Sequence, residues 1–161
     1  MPVGRIIRII GGFYYLRSGE GQTITAVPRG KLRHTDGLVV GDLVDYQLLG
    51  ADQGVIEGVR PRQLLLKRPL VANVNQAALV FAHKNPDFNY LLIDRFLVML
   101  EAYGLSILIL LNKADLVDVK TAEENAGPYR RIGYPTICTS TKSGQGKTEL
   151  LKALEGTTTT L

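Results

Sequence analysis

Two patterns of apolar and polar positions divide the chain. Up to residue 59, short apolar or β-branched runs at 5–10, 13–17, 22–27, 39–40, 43–49 and 55–59 are separated by glycine-bearing breaks, among them Gly11-Gly12, Gly19, Gly21, Gly30, Gly41 and Gly50. No stretch there sustains a helical period. About five short strands with Gly-rich turns in about 60 residues suit a small closed barrel, because closure removes the edges an open sheet of that size would expose. An OB-fold is the leading candidate and an SH3-like barrel the second. After Arg60-Pro61-Arg62 the pattern changes. Residues 77–82 and 105–111 are nearly continuous apolar runs, as in strands buried on both faces of a parallel sheet, and 90–103 between them reads as a helix stopped by Gly104. A polar helical stretch at 120–131, a third strand at 136–139 and a helix at 148–154 closed by Gly156 follow. The alternation is that of an α/β layer. Gly127-Pro128 predicts a break in the second helix or a restart at Pro128. The four threonines at 157–160 read as strand. The expected organisation is an OB-fold barrel over 1–65, a linker over 66–73 and an α/β domain with a parallel sheet over 74–161.

The 161 residues are 45% hydrophobic and 21% charged, the mix of a folded soluble protein. The longest apolar run, 77–82, falls far short of the roughly 20 residues that span a bilayer, and Met1-Pro2-Val3-Gly4-Arg5 lacks a signal-peptide core, so a cytoplasmic protein without membrane partners is expected. The single cysteine, Cys138, stands among strand residues and reads as a structural thiol. The net charge of +4 is carried entirely by residues 1–70, where ten Lys/Arg face six Asp/Glu; residues 71–161 hold nine of each. A local basic excess suits a phosphate backbone, and equally a solvated basic face.

The 105–111 strand runs directly into Asn112-Lys113-Ala114-Asp115, the Asn-Lys-x-Asp pattern by which GTPases read guanine. Ligands of open α/β sheets bind outside the carboxyl ends of the strands, where these residues fall. An aspartate carboxylate accepts two parallel hydrogen bonds from guanine N1–H and its exocyclic amine, which adenine cannot supply, so Asp115 would choose the base. Lys113 would lay its stem along the purine and Asn112 would tie neighbouring loops together. An ordinary polar turn after a strand is the competing reading. At the end of the 136–139 strand, Ser140-Thr141-Lys142 resembles the Ser-Ala-Lys loop that touches the guanine oxygen, and two such loops after successive strands are more specific than either alone. Gly144-Gln145-Gly146-Lys147-Thr148 ends like a phosphate-binding P-loop, but the glycine that pattern needs at position 141 is Thr141, so a phosphotransferase built on Lys147 is the weaker alternative.

The chain resembles the ribosome small-subunit-dependent GTPase family known as RsgA or YjeQ. The shared features are 29–33 (Arg-Gly-Lys-Leu-Arg), Val40-Gly41-Asp42, Arg60-Pro61-Arg62, Leu66-Lys67-Arg68-Pro69, Asn73 with Asn75-Gln76, Ile93-Asp94-Arg95-Phe96-Leu97 and the two guanine loops. Thr141 departs from the alanine usual in that loop. The resemblance implies an OB-fold followed by a circularly permuted GTPase domain, in which the guanine-reading loops precede the P-loop. It implies a GTP hydrolase that binds the small ribosomal subunit and assists its late maturation, with GTP/GDP and magnesium as ligands of the full-length parent and zinc in the family's C-terminal domain. On this reading 157–161 leads into the P-loop, the chain is a truncated piece without hydrolytic activity of its own, and a monomer is expected. The nucleotide contacts would come from Asn112, Lys113, Asp115, Ser140, Thr141 and Lys142.

For the barrel, the resemblance implies docking on small-subunit rRNA. Arg29, Lys31 and Arg33 alternate along an extended segment and could present one positive edge to phosphates; Arg60, Arg62, Lys67 and Arg68 form a second cluster. Phe13, Tyr14 and Tyr15 could stack on bases, although a barrel this small should take at least one into its core. Asp94 and Arg95 read as structural, with pairing across domains one way to be so; His34 and His83 receive no role, although the place of His83 just beyond a strand end leaves a nucleotide-side contact open. A non-enzymatic OB-fold RNA-binding module is the alternative from a different class.

Overall fold

The computed structural model describes residues 1–30, 32 and 37–161 and divides into two compact units, Met1–Asn73 and Val74–Leu161. Lys31, Arg33 and His34 lie outside the described residues.

The first unit is a closed five-stranded barrel of β1 (Val3–Ile10), β2 (Phe13–Ser18), β3 (Thr23–Pro28), β4 (Leu43–Leu48) and β5 (Gln53–Val59) in the order β1-β2-β3-β5-β4. All pairings are antiparallel except β3 with β5. Strand alternation sends Ile6, Leu16, Ile24, Ala26, Val44, Tyr46 and Ile56 inward as one core. Tyr14 packs against that core, while Phe13 stays 50% exposed. In β1 the register slips between Ile6 and Arg8, a bulge at Ile7 that turns Arg8 onto the outer face beside Tyr15.

The segment 66–73, read from the sequence as a linker, carries a hairpin of β6 (Leu65–Lys67) and β7 (Leu70–Ala72) within the first unit. Its anchor is Asp42, fully buried, whose carboxylate accepts two hydrogen bonds from Arg62 at 2.7 and 2.9 Å and one from the Val39 N–H at 2.9 Å. Next to it Gly41 adopts φ 93, and a Cβ there would run into the Ala72 carbonyl. The Gly41 carbonyl accepts from Asn73 Nδ2 and Arg5 Nη1, so glycine at 41 admits a backbone approach that any side chain would block.

The second unit is a four-stranded parallel sheet in the order β10-β9-β8-β11, from β8 (Gln76–Ala82), β9 (Ser106–Asn112), β10 (Thr136–Cys138) and β11 (Thr159–Thr160). On one face Ala78, Leu108, Leu110 and Ile137 pack against Leu150, Ala153 and Leu154 of α3 (Lys147–Leu154). The alternate residues Ile107, Ile109 and Leu111 are buried toward the other side, where α1 (Tyr90–Glu101) packs on β8 and β9, and α2 (Val119–Arg131) on β10. Asn89 caps α1 by accepting from the Leu92 N–H, and Asp118 caps α2 by accepting from the Thr121 N–H. β11 is fastened by Gln76, whose side-chain oxygen accepts from the hydroxyls of Thr157 and Thr159. At the opposite edge of the sheet Arg130 donates from Nε to the Thr136 carbonyl.

The break expected at Gly127-Pro128 does not occur: α2 runs through Pro128 to Arg131. Proline lacks the N–H that would bond the Glu124 carbonyl one turn back, and the Tyr90 hydroxyl donates to that carbonyl instead, at 3.0 Å. Tyr90→Phe keeps the ring against Phe88 and Tyr129 and removes this donor. It should lower the unfolding free energy of the second unit by about 1 kcal/mol in a denaturant titration, leaving the barrel transition in place. An unchanged midpoint would mean that solvent serves the Glu124 carbonyl equally well.

Candidate guanine-reading site

β9 ends at Asn112, and the chain turns at once through Lys113 in the left-handed conformation (φ 59) into a 3₁₀ turn, Ala114–Leu116. The turn is short because Asp118 caps α2 two residues later. Just past the end of the neighbouring β10, Thr139 donates its N–H to the Leu111 carbonyl at 2.8 Å, and its own carbonyl accepts from the Ala114 N–H at 3.0 Å. The two loops singled out in the sequence therefore lie side by side at the carboxyl ends of β9 and β10.

Ser140, 3% exposed, joins them. Its hydroxyl donates to Asp115 Oδ1 at 2.5 Å and accepts from the backbone N–H groups of Lys142 and Ser143 at 3.2 and 3.1 Å. That hydroxyl is the first cause holding the Asp115 carboxyl below its ordinary range, with the nearby Lys142 and Lys113 ammonium groups adding smaller contributions in the same direction. Asp115 is thus a charged acceptor with one oxygen already oriented. Lys113 donates from Nζ to the Asn85 carbonyl, and the Asn112 carbonyl accepts from the His83 N–H at 2.9 Å. Thr139 Oγ1 reaches Asn112 Oδ1 at 3.4 Å. Thr141 and Lys142 are exposed on the loop rim. A cavity of about 470 Å³ opens beside these loops, its polar side formed by Asn112, Ser140, Thr141, Gln145 and Lys147 and its apolar side by Val80, Leu110, Leu150, Leu154 and Leu161. Gly146, at φ 74, starts α3 so close to β10 that a Cβ would strike the Cys138 carbonyl. Lys147 follows it in the first turn of α3, exposed.

The cations proposed for RNA are placed unevenly. Arg29 pairs with Glu57 at 2.7 Å and Arg60 with Asp45 at 2.9 Å, both from exposed positions, whereas the Arg62 fork is taken up by buried Asp42. Lys67 and Arg68 are exposed beside the β6–β7 turn. Sequence reasoning passed over Arg8, whose guanidinium lies 3.9 Å from the Tyr15 ring centroid, and Arg17, across β1 from Arg5 on the same outer face. For Arg8 the signal was alternation, and the bulge at Ile7 hides it by shifting the parity of β1; Arg17 was legible by its alternation with inward Leu16. Asp94 pairs inside the second unit, accepting from the Tyr129 hydroxyl at 3.1 Å, while burial first and Asp94 second push that phenol up.

The family model described as RsgA GTPase matches residues 59–161, and that of the RsgA N-terminal domain matches residues 3–56. The small ribosomal subunit biogenesis GTPase RsgA of Geobacillus sp. (strain WCH70) is 42% identical over 160 residues, covering 97% of this chain and 54% of that protein. The protein of the same name from Shouchella clausii (strain KSM-K16) is 38% identical over 158 residues, 96% of this chain and 54% of its own length. Among solved structures, YloQ, described as a circularly permuted GTPase, superposes with a TM-score of 0.84 at 34% identity over 99% of this chain and 58% of its own. YjeQ from Thermotoga maritima gives 0.87 at 33% identity over 98% and 58%. The chain spans about half the length of the curated relatives it matches.

Ser140→Ala should let the Asp115 carboxyl rise back toward the ordinary aspartate value, because the hydroxyl that favours its ionised form is gone. Carboxyl-carbon NMR titration of both proteins reads this directly. A titration midpoint that stays put would assign the depression to the lysines and the turn backbone.

Proposed function

The chain belongs to the RsgA GTPase family, and from that premise we propose that it carries the guanine-reading half of a GTPase that binds the small ribosomal subunit and assists its late maturation. The observation that carries the reading is the Ser140–Asp115 hydrogen bond at the carboxyl ends of two adjacent parallel strands. With one oxygen held by Ser140, the Asp115 carboxylate turns its remaining acceptor capacity to N1–H and the exocyclic amine of guanine. Lys113, drawn toward Asn85, lays its stem along one purine face. The 140–142 loop, fixed from inside by Ser140, presents its backbone to the guanine oxygen. In this reading the Ser140–Asp115 bond lowers the ordering cost of binding.

In this reading the chain recognises the base, and the phosphates are handled by the part of the relatives' length that it does not span. Magnesium, which neutralises phosphate charge in GTPases, and zinc are assigned to that part too, and no step of base recognition runs through either. The 161 residues bind guanine nucleotides without hydrolysing them. No helix among the described residues is long and apolar enough to cross a membrane. The protein acts as a monomer in the cytoplasm, and its barrel docks on small-subunit rRNA through Arg29, Lys31, Arg33, Lys67 and Arg68. Arg29 and Arg60 would exchange the carboxylates of Glu57 and Asp45 for phosphates on docking, whereas Arg62, held by buried Asp42, supports the surface from within.

Competition of unlabelled GDP and ADP against labelled GDP tests the base site. GDP should displace the label and ADP should not, whereas equal displacement would remove the Asp115 argument. Asp115→Asn should weaken GDP by roughly a hundredfold, one hydrogen bond losing its charge and the other giving way to two opposed donors, and relatively favour xanthosine diphosphate, whose carbonyl accepts where the guanine amine donates. For the barrel, changing Arg29, Lys31 and Arg33 together to alanine should flatten the salt dependence of small-subunit RNA binding by up to about three phosphate contacts. An unaltered slope would place the RNA elsewhere on the barrel and make the Arg8–Tyr15 face the next to change.

A further inference from the structure

The base-reading loop is held from two flanks. Thr139 and Ser140 grip one. The other is gripped by the segment after β8: His83 donates its backbone N–H to the Asn112 carbonyl, and Asn85, itself left-handed at φ 53, offers its carbonyl to Lys113 Nζ. Beside Phe88, packed edge-on against Tyr90, the His83 side chain helps to secure that segment. The residue is 4% exposed, and its ring lies nearly parallel to Phe88 with centroids 6.3 Å apart. Its Nδ1 stands 3.1 Å from the amide nitrogen of Asn125 on α2, a residue that is itself buried. An amide nitrogen only donates, so Nδ1 accepts and the proton of the neutral ring resides on Nε2, which is buried without a hydrogen-bond partner among the described residues.

We propose that His83 is a positioning residue for guanine recognition: its neutral ring, accepting from Asn125, ties the 83–88 segment to α2 and so fixes the carbonyl that orients Lys113. This rests on the guanine reading of the site. Protonation would set an Nδ1–H against the Asn125 N–H and bring a charge into a place where burial already holds the imidazole below its ordinary 6.5. Lys84 and Asp87 on its own segment and Glu123 and Glu124 on α2 are exposed; Lys113 is spent on Asn85, Asp115 on Ser140 and Asp94 on Tyr129. The sign follows. A released His83 binds a proton near its ordinary value and the seated one only below it, so the seated segment is favoured above pH 6.5 and lost as pH falls from there toward the lowered value.

The chain has two histidines, so His34→Gln leaves His83 as the only one. In that background GDP affinity should fall roughly threefold to tenfold between about pH 8 and about pH 5.5, and His83→Gln should abolish the dependence. Asn125→Asp, which gives the protonated ring an acceptor and a counter-charge, should also abolish or invert it. Backbone hydrogen exchange over 112–116 without nucleotide, referenced to the 108–110 amides of β9, should accelerate at the acid end only where His83 faces Asn125. Acid weakening that persists in His83→Gln, or exchange at 112–116 that ignores pH in the parent, would overturn the proposal. Should GDP fail to bind at any pH, the guanine reading falls and the exchange experiment still decides His83.

Discussion

The Ala114 N–H donating to the Thr139 carbonyl is the constraint on which the site depends. It extends the β9–β10 ladder one step beyond the sheet, after the strands have ended, and so converts two neighbouring strands into two neighbouring loops. Without it Asn112–Asp115 and Ser140–Lys142 would be separate turns. With it, Ser140 reaches Asp115, and the carboxylate is oriented by the same backbone that sets the sheet register. The left-handed Lys113 belongs to this economy, since one αL residue reverses the chain between the end of β9 and a turn only three residues long.

The barrel is organised around a different kind of constraint, a charge taken fully out of water. Asp42 is tolerable there because Arg62 engages both of its oxygens and the Val39 N–H supplies a third hydrogen bond. Such a pair tells little about net stability, but it fixes where Arg62 must be, and with it the chain entering the β6–β7 hairpin. A basic residue read as an RNA contact is thereby part of the frame that holds 39–42 against 62–73.

The sequence was most readable where physics is local. Alternation and glycine placed the five barrel strands, unbroken apolar runs placed β8 and β9, and the order strand-loop-strand-loop brought Asn112–Asp115 beside Ser140–Lys142. It was opaque where a distant group changes a local rule. Pro128 forecasts a broken helix, and only the fold supplies Tyr90 to satisfy the carbonyl that the proline leaves open. Arg8 looks inward by parity with Ile6, and only the bulge at Ile7 puts it over Tyr15. Leu65–Ala72 is too short and too mixed to announce a hairpin, which forms because Leu66 and Ala72 are buried and Ala72 donates its N–H to the Val40 carbonyl. His83 carried no partner in sequence because Asn125 is 42 residues away.

Arg130 blunts one edge of the sheet in the second unit. By donating to the Thr136 carbonyl, and through its ion pair with Glu123, it occupies the outer margin of β10, the side on which a foreign strand would otherwise add. β11 has no such guard among the described residues. One outward acceptor of the β10 edge is already taken by Arg130, so a foreign strand laid along that side would find one ladder hydrogen bond fewer and a charged side chain in its path.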